Sequence, residues 1–212
     1  MLILSQYDIE LQRLSLSDIE LVRSWRNQDR IRNQMFHTDL ISEKDQELWF
    51  DSINNSLNYY FLIVFKSRKI GLIHAKNIDL EVGYGEGGIF IGEVADENSW
   101  AATMASICLL SFVFEKLSLK SSLIKVKSNN LNAIKYNELL GYKILTVFEK
   151  LDFNQSNVKD RLINEIGYKV YPCKHFESIF TRFYQGYYLR KKFNVDKRKA
   201  HLSNLIMVKQ IT

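Results

Sequence analysis

The 212-residue chain contains one proline, nine glycines and two cysteines, and each scarcity closes off a class of answer. So little proline and glycine excludes a Pro-rich linker, a collagen-like repeat or a low-complexity tract, and no internal repeat is present. Cys108 and Cys173 have no Cys or His at metal-ligand spacing, which argues against a zinc site or a disulfide framework; no metal is expected. Cys108 lies inside "ASICLLSFVF" and reads as a small core residue. No apolar run reaches the roughly 18 residues of a membrane span. The opening "MLILSQYDIELQRL" turns polar too soon for a secretory signal. A cytoplasmic protein without a membrane partner is the expectation.

What is present is globular: 46% hydrophobic and 25% charged residues, in a length suited to one domain with a real core. The net charge of +5 is modest, and much of the excess lies in "LRKKFNVDKRKAH". That run could meet the phosphates of nucleic acid, a nucleotide or coenzyme A. A solvated tail is the simpler reading, so no nucleic-acid partner is expected.

Periodicity orders the first 150 residues. "YDIELQRL" alternates as a first strand, and "SDIELVRSWRN" follows as a helix with Ser17 and Glu20 at capping-box spacing. Ser42 and Asp45 repeat that signal before "QELWFDSI". "YYFLIVF" and "KIGLIHAKNIDL", joined by "KSRK", predict an antiparallel hairpin, and "GEGGIFIGEV" another strand. "SWAATMASICLLSFVFEKL" is too long and continuous for a strand and predicts a buried helix; "SSLIKVKS", "NAIKYNELL" and "YKILTVFEKL" then read as strand, helix, strand. The resulting order β, α, α, β, β, β, α, β, α, β is an α/β sheet, antiparallel in its first half and built from helical crossovers in its second. Residues 151–212 show no clean period and are read as an elaboration of the same domain, with "QGYYLRKKF" as a final strand.

Element order and local motifs together resemble the GNAT superfamily of acetyl-CoA-dependent N-acetyltransferases over residues 7–150. "EGGIFIG" is similar to the family's fourth strand, and the helix ending "FVFEKLSL" to the one that follows its pyrophosphate loop. Asn130, Ala133, Glu138 and Gly141-Tyr142 are similar to its N-x-x-S/A…E-K-L-G-F motif. The resemblance implies splayed central strands flanked by helices, with the pantetheine arm of acetyl-CoA in the gap. Its contacts would be Ile89, Phe90 and Ile91 on one strand and Asn130 and Ala133 on the facing wall. The Q/R-x-x-G-x-G/A loop is replaced by "DENSWAATMAS". Counting back from Phe114 aligns Glu97 to Ala102 with it; matching Trp100 to the related W-G-x-G form puts Ala101 and Thr103 at the glycines. Ser99, Trp100, Ala101, Ala102 and Thr103 are the expected pyrophosphate contacts in either register, although Glu93, Asp96 and Glu97 oppose an anion unless they point away. Where many relatives carry a tyrosine as acid for the departing thiolate stands Asn137; Tyr136 is adjacent, but about 100° round the helix.

The acceptor half rests on "VRSWRNQDRIRNQMFHTDLIS". It resembles the opening of amino-sugar nucleotide N-acetyltransferases of surface-polysaccharide pathways. That resemblance implies a small-molecule acceptor, a dTDP- or UDP-linked amino sugar, bound by Trp25, Arg26, Asn27, Arg32 and His37. Aromatic rings would stack on base or sugar and arginines would fork onto a diphosphate. The competing reading makes Trp25 and Trp49 core-facing and the arginines solvated. His74, on the strand face opposite Ile73, is the candidate base, with Glu93 or Glu86 acting through water, and Tyr136 the candidate acid. Acetylation of a protein amine, and a degenerate binding module without catalysis, are the alternatives. Oligomeric state is left open.

Overall fold

A computed structural model describes residues 2–6, 8–97, 99–127 and 129–144, together with the backbone of strands at 165–170 and 207–210. The strands β1 (Leu2–Gln6), β2 (Ile9–Arg13), β3 (Tyr59–Phe65), β4 (Arg68–Asp79) and β5 (Tyr84–Ile91) form an antiparallel run. The chain then crosses over through a helix to β6 (Ser121–Lys127), which pairs parallel with β5. With β7 (Lys143–Ile144), β8 (Glu165–Val170) and β9 (Met207–Gln210), the sheet runs β7-β8-β6-β5-β4-β3-β2-β1-β9. This is the expected mixed sheet with an antiparallel N-terminal half.

Two cores sandwich the sheet. On one face, α1 (Ile19–Arg26), the single turn α2 (Asp29–Arg32) and α3 (Glu43–Ile53) cover Tyr60, Leu62 and Leu72 with Ile19, Val22, Trp25 and Phe50. On the other, α4 (Ala101–Ser111) packs on Leu11, Phe61, Ile63, Ile73 and Ala75. Strand alternation explains the split, since neighbouring residues of β3 and β4 point to opposite faces. α4 is covered almost all round, which is why it reads as a continuous apolar run rather than an amphipathic one; it ends in a π-helical turn at Phe112–Lys116. The β3–β4 hairpin closes through Lys66 and Ser67, both at positive φ (50° and 61°), the geometry that matches the twist of the flanking strands.

Several local expectations change. An extra strand, β1, precedes "IELQR"; it pairs with β2 and β9. The Ser17–Glu20 capping box does not form: Asp18 occupies the cap position without capping, and Glu20 pairs with Arg23 instead. The Ser42–Asp45 box is complete, with both reciprocal bonds. Strand β8 lies between β6 and β7 in the sheet, and of the strand expected at "YKILTVFEKL" only Lys143–Ile144 is among the described strand residues. The strand expected at "QGYYLRKKF" lies outside the described residues.

Candidate active site

The two central strands part company within a few residues. β5 and β6 pair only over Tyr84–Gly87 and Ser121–Ile124; beyond Gly87, β5 keeps β4 on one edge and β6 keeps β8 on its other edge. The backbone groups of Gly88–Ile91 on the β6 side therefore border a gap, which a ligand carrying its own amides can fill. On the α4 side this gap deepens into a cavity lined by Ala75, Gly87, Ile89, Ser106, Ile124 and Asn137. Ile89 and Ile91 turn to the α4 core and Phe90 to the α1 side.

The helix α5 (Leu131–Leu139) forms the far wall. Asn130 caps it by accepting from the Ala133 N–H at 3.1 Å. Gly141, at φ +90°, ends it: the N–H groups of Gly141 and Tyr142 return to Glu138 and Asn137, the two bonds of a Schellman stop. Asn137 faces the cavity. Tyr136 faces α4, where its hydroxyl donates to the Ala102 carbonyl and lies 2.8 Å from Ser106 Oγ; burial pushes its pKa up. The phenol thus reaches the cavity only through Ser106. A second hydroxyl pair, Ser122 and Tyr142, 2.9 Å apart, also lines the cavity, and burial raises the Tyr142 phenol to about 12. Tyr142 carried no expected chemical role; its position after the helix stop is the signal that pointed there.

At the head of α4, the helix begins at Ala101 with Trp100 as its cap. The Ala101 N–H is taken by Ser99 Oγ at 3.2 Å, and the amides of Ala102 and Thr103 have no carbonyl four residues back inside the helix. The three nearby acids are all committed. Asp96, 5% exposed, pairs with Arg68 at 3.0 Å; Glu97 pairs with Arg30; Glu93 accepts from the Trp25 indole N–H at 2.9 Å. Asp96 and Glu97 are neutralised in place and Glu93 is turned to the Trp25 indole, so Ala102 and Thr103 keep an anion-compatible helix start without glycines. These residues fit a pyrophosphate.

The acceptor face is the other side of the sheet. His74 on β4 stacks on Tyr60 of β3 (centroids 4.7 Å apart, 25°) and lies over Gly88 of β5, where a Cβ would meet its Cε1 at 2.5 Å. Trp49 meets Tyr60 edge-on at 5.2 Å. One register step along, Glu86 (16% exposed) is held between Lys76 at 3.1 Å and Lys125 at 3.3 Å. Burial alone would raise that carboxyl, but the two ammonium groups hold it below its ordinary value. Burial, then Lys76 and Arg26, push His74 down to about 3, so its imidazole is neutral.

The remaining expected residues separate. Trp25 is 2% exposed, packed over Gly92, which has no Cβ, and edge-on to Phe90; no ring face is left for a base or sugar, so it is a core residue. Asn27 exchanges two hydrogen bonds with Ile41 (2.9 and 2.8 Å) and fastens the loop before α3. Arg30 bonds the Ile91 carbonyl at 3.2 Å and that of Gly92, tying α2 to the end of β5. Arg32 pairs with Asp29, and His37 is exposed on the loop. Glu93 lies five residues past Gly88, roughly 16 Å at the ~3.3 Å rise of extended chain, so it does not share a site with His74. Arg26 remains beside Tyr60 and His74.

Comparison with known proteins accords with this geometry. A family model described as the acetyltransferase (GNAT) domain matches residues 8–143. Another, described as the C-terminal domain of LPS biosynthesis protein WbpG-like proteins, matches residues 177–212. No curated protein matches the chain. Solved structures share the fold: a domain from Methanocaldococcus jannaschii DSM 2661 (TM-score 0.61, 20% identity, 79% of this chain and 99% of that one). Spermidine N-acetyltransferase from Vibrio cholerae, in complex with CoA and spermine, gives TM-score 0.64 at 17% identity over 77% of this chain and 95% of that one. FdhC, a nucleotide-linked sugar GNAT, gives TM-score 0.63 at 17% identity over 88% and 96%. Among the described residues no helix is long and apolar enough to cross a membrane, and no side-chain group is arranged to hold a metal ion.

Proposed function

The chain belongs to the GNAT acetyltransferase family and uses acetyl-CoA, and we propose that its acceptor is the amine of a nucleotide-linked deoxyamino sugar. The observation that carries this reading is the charge beside His74. Arg26 and Lys76 act on it there, and the carboxylate that also acts on it, Glu86, is neutralised by Lys76 and Lys125. Such a face repels a polycation and favours an anion. The sugar-nucleotide description of FdhC and the WbpG-like match at 177–212 point the same way.

The amine nitrogen attacks the thioester carbonyl carbon, the carbon–sulfur bond breaks, the nitrogen gives up a proton to solvent water and the thiolate takes one. With a pKa near 3, His74 is too weak a base to strip an ammonium; it accepts an N–H of an amine that arrives neutral and aims its lone pair. A backbone N–H within Ile89–Ile91 polarises the carbonyl oxygen. Ala102 and Thr103 hold the pyrophosphate. Two routes return a proton to sulfur, Tyr142 with Ser122 or Tyr136 through Ser106, and only the first puts a phenol on the cavity wall.

The test is release of CoA thiol from acetyl-CoA across dTDP- and UDP-linked 3-amino and 4-amino deoxysugars, with spermidine and an N-terminal peptide as controls. Saturable turnover of one sugar nucleotide supports the proposal and locates the amine. Turnover of peptide or spermidine with none of the sugars overturns it.

A further inference from the structure

We infer that Arg26 is the acceptor's anion anchor: it binds an anionic oxygen of the substrate, a phosphate or a carboxylate, and thereby sets the amine against His74. Arg26 closes α1, and its charge acts on both Tyr60 and His74. Its Nη1 is shut off from solvent and has no hydrogen-bond partner among the described residues. Burial correspondingly depresses the guanidinium pKa, and the Tyr60 phenol only partly opposes that. An ionised group with an unmet donor is costly to keep, and core packing alone does not require it.

Its neighbours do not relieve it. Trp25, one residue back, spends its N–H on Glu93, and Arg30 spends its guanidinium on Glu97 and two carbonyls. Glu86, the carboxylate that acts on His74, is already shared by Lys76 and Lys125. No acceptor for this donor stands among the described residues, and a ligand that supplies one is an acceptor of charge-assisted hydrogen bonds. A guanidinium presents a planar fork that matches a phosphate or carboxylate, whereas a neutral hydroxyl returns little of the desolvation cost. The inference rests on the acetyltransfer reading for the role of His74, but the anion site itself does not depend on which amine is acetylated.

The experiment compares wild type, Arg26→Gln and Arg26→Lys, with the cofactor site saturated by CoA so that no probe enters it. Calorimetric titrations use inorganic pyrophosphate, UDP, dTDP and glucuronate. Wild type should bind at least one of them, Arg26→Gln at least tenfold more weakly, and Arg26→Lys in between; the tightest probe tells phosphate from carboxylate. Thermal unfolding of Arg26→Gln should give a Tm equal to or above wild type, because the variant removes a charge whose buried Nη1 has no partner among the described residues. With an active acceptor in hand, KM for the acceptor should rise at least tenfold while KM for acetyl-CoA holds. Equal binding of every probe by wild type and Arg26→Gln overturns the inference, as does a lower Tm with unchanged acceptor KM, the mark of a packing residue. Arg26-dependent probe binding with no sugar turned over supports the anion site and rejects only the sugar acceptor.

Discussion

Replacing Gly88 with alanine tests whether the His74 ring position matters to the reaction. A Cβ at 88 would lie 2.5 Å from His74 Cε1 and 2.7 Å from Nε2. Ordinary carbon contacts sit near ~3.5–4.0 Å, so the imidazole has to retreat by roughly 1 Å. The obstructed atoms are the far end of a side chain, and no backbone atom is among the close contacts, so the ring swings and the sheet stays. The swing disturbs the stack on Tyr60, worth about 0.5–1.5 kcal/mol, while removing a glycine from a strand returns about 0.5–1 kcal/mol. Stability should therefore change by no more than about 1 kcal/mol. Turnover is the sensitive quantity, since an error of about 1 Å in a positioning group costs up to ~10²-fold. The assay is thiol release at saturating acetyl-CoA for wild type, Gly88→Ala, His74→Ala and the double variant. If Gly88 acts through His74 alone, the double variant matches His74→Ala, and the cycle returns a coupling of up to about 2.7 kcal/mol. Full additivity of the two losses, or an unchanged rate in Gly88→Ala, would falsify the role given to the ring.

Three further outcomes follow from the same contacts. Because His74 is held near 3 in the fold against an ordinary 6.5, the unfolded chain binds more protons between those values, and stability falls as pH drops below about 6.5. At pH 5 the loss is at most roughly 2 kcal/mol, less to the extent that the half-buried ring stays hydrated; urea midpoints of wild type and His74→Gln across pH 5–7.5 should converge on the acid side, and parallel curves would count against it. Gly92→Ala places a Cβ 2.2 Å from the Trp25 ring, which has nowhere to move, and should cost about 1–3 kcal/mol in equilibrium unfolding; an unchanged Tm would show that Trp25 is not the fixed core residue described. Tyr142→Phe should lower kcat about tenfold or more with the fold intact, whereas Tyr136→Phe should mainly lower Tm through its lost bonds to Ala102 and Ser106; the reverse pattern would move the proton route to Tyr136.

How much of this could be read from residues alone depended on the range over which each feature is decided. The β3–β4 hairpin, the α4 crossover and the Asn130–Gly141 frame of α5 were legible because periodicity and caps act over a few residues. The Ser17–Glu20 box failed on the same scale: Glu20 found a closer partner in Arg23, three residues on, and the helix started later. Strand β1 was obscured because its partners are β2 and β9, the latter some two hundred residues away in sequence. The pairings of the acids at the head of α4 were out of reach for the same reason, since each joins residues far apart in the chain.

Trp25 and Arg26 show the limit most sharply. Adjacent on α1, they carry equally good credentials for a sugar-nucleotide site, an aromatic plane and a guanidinium fork. The fold separates them by one helical step of about 100°. That step points Trp25 down onto Gly92, whose missing side chain leaves space for the indole and so removes it from any ligand. The same step leaves the charge of Arg26 acting on His74, with a buried donor that no described group accepts. A glycine sixty-seven residues downstream thus decides which member of the pair is structural, and it does so through a Cβ that is absent. If that assignment holds, enlarging position 92 should disturb stability and enlarging position 88 should disturb rate. Two glycines four residues apart on one strand would then report separately on the core and on the site.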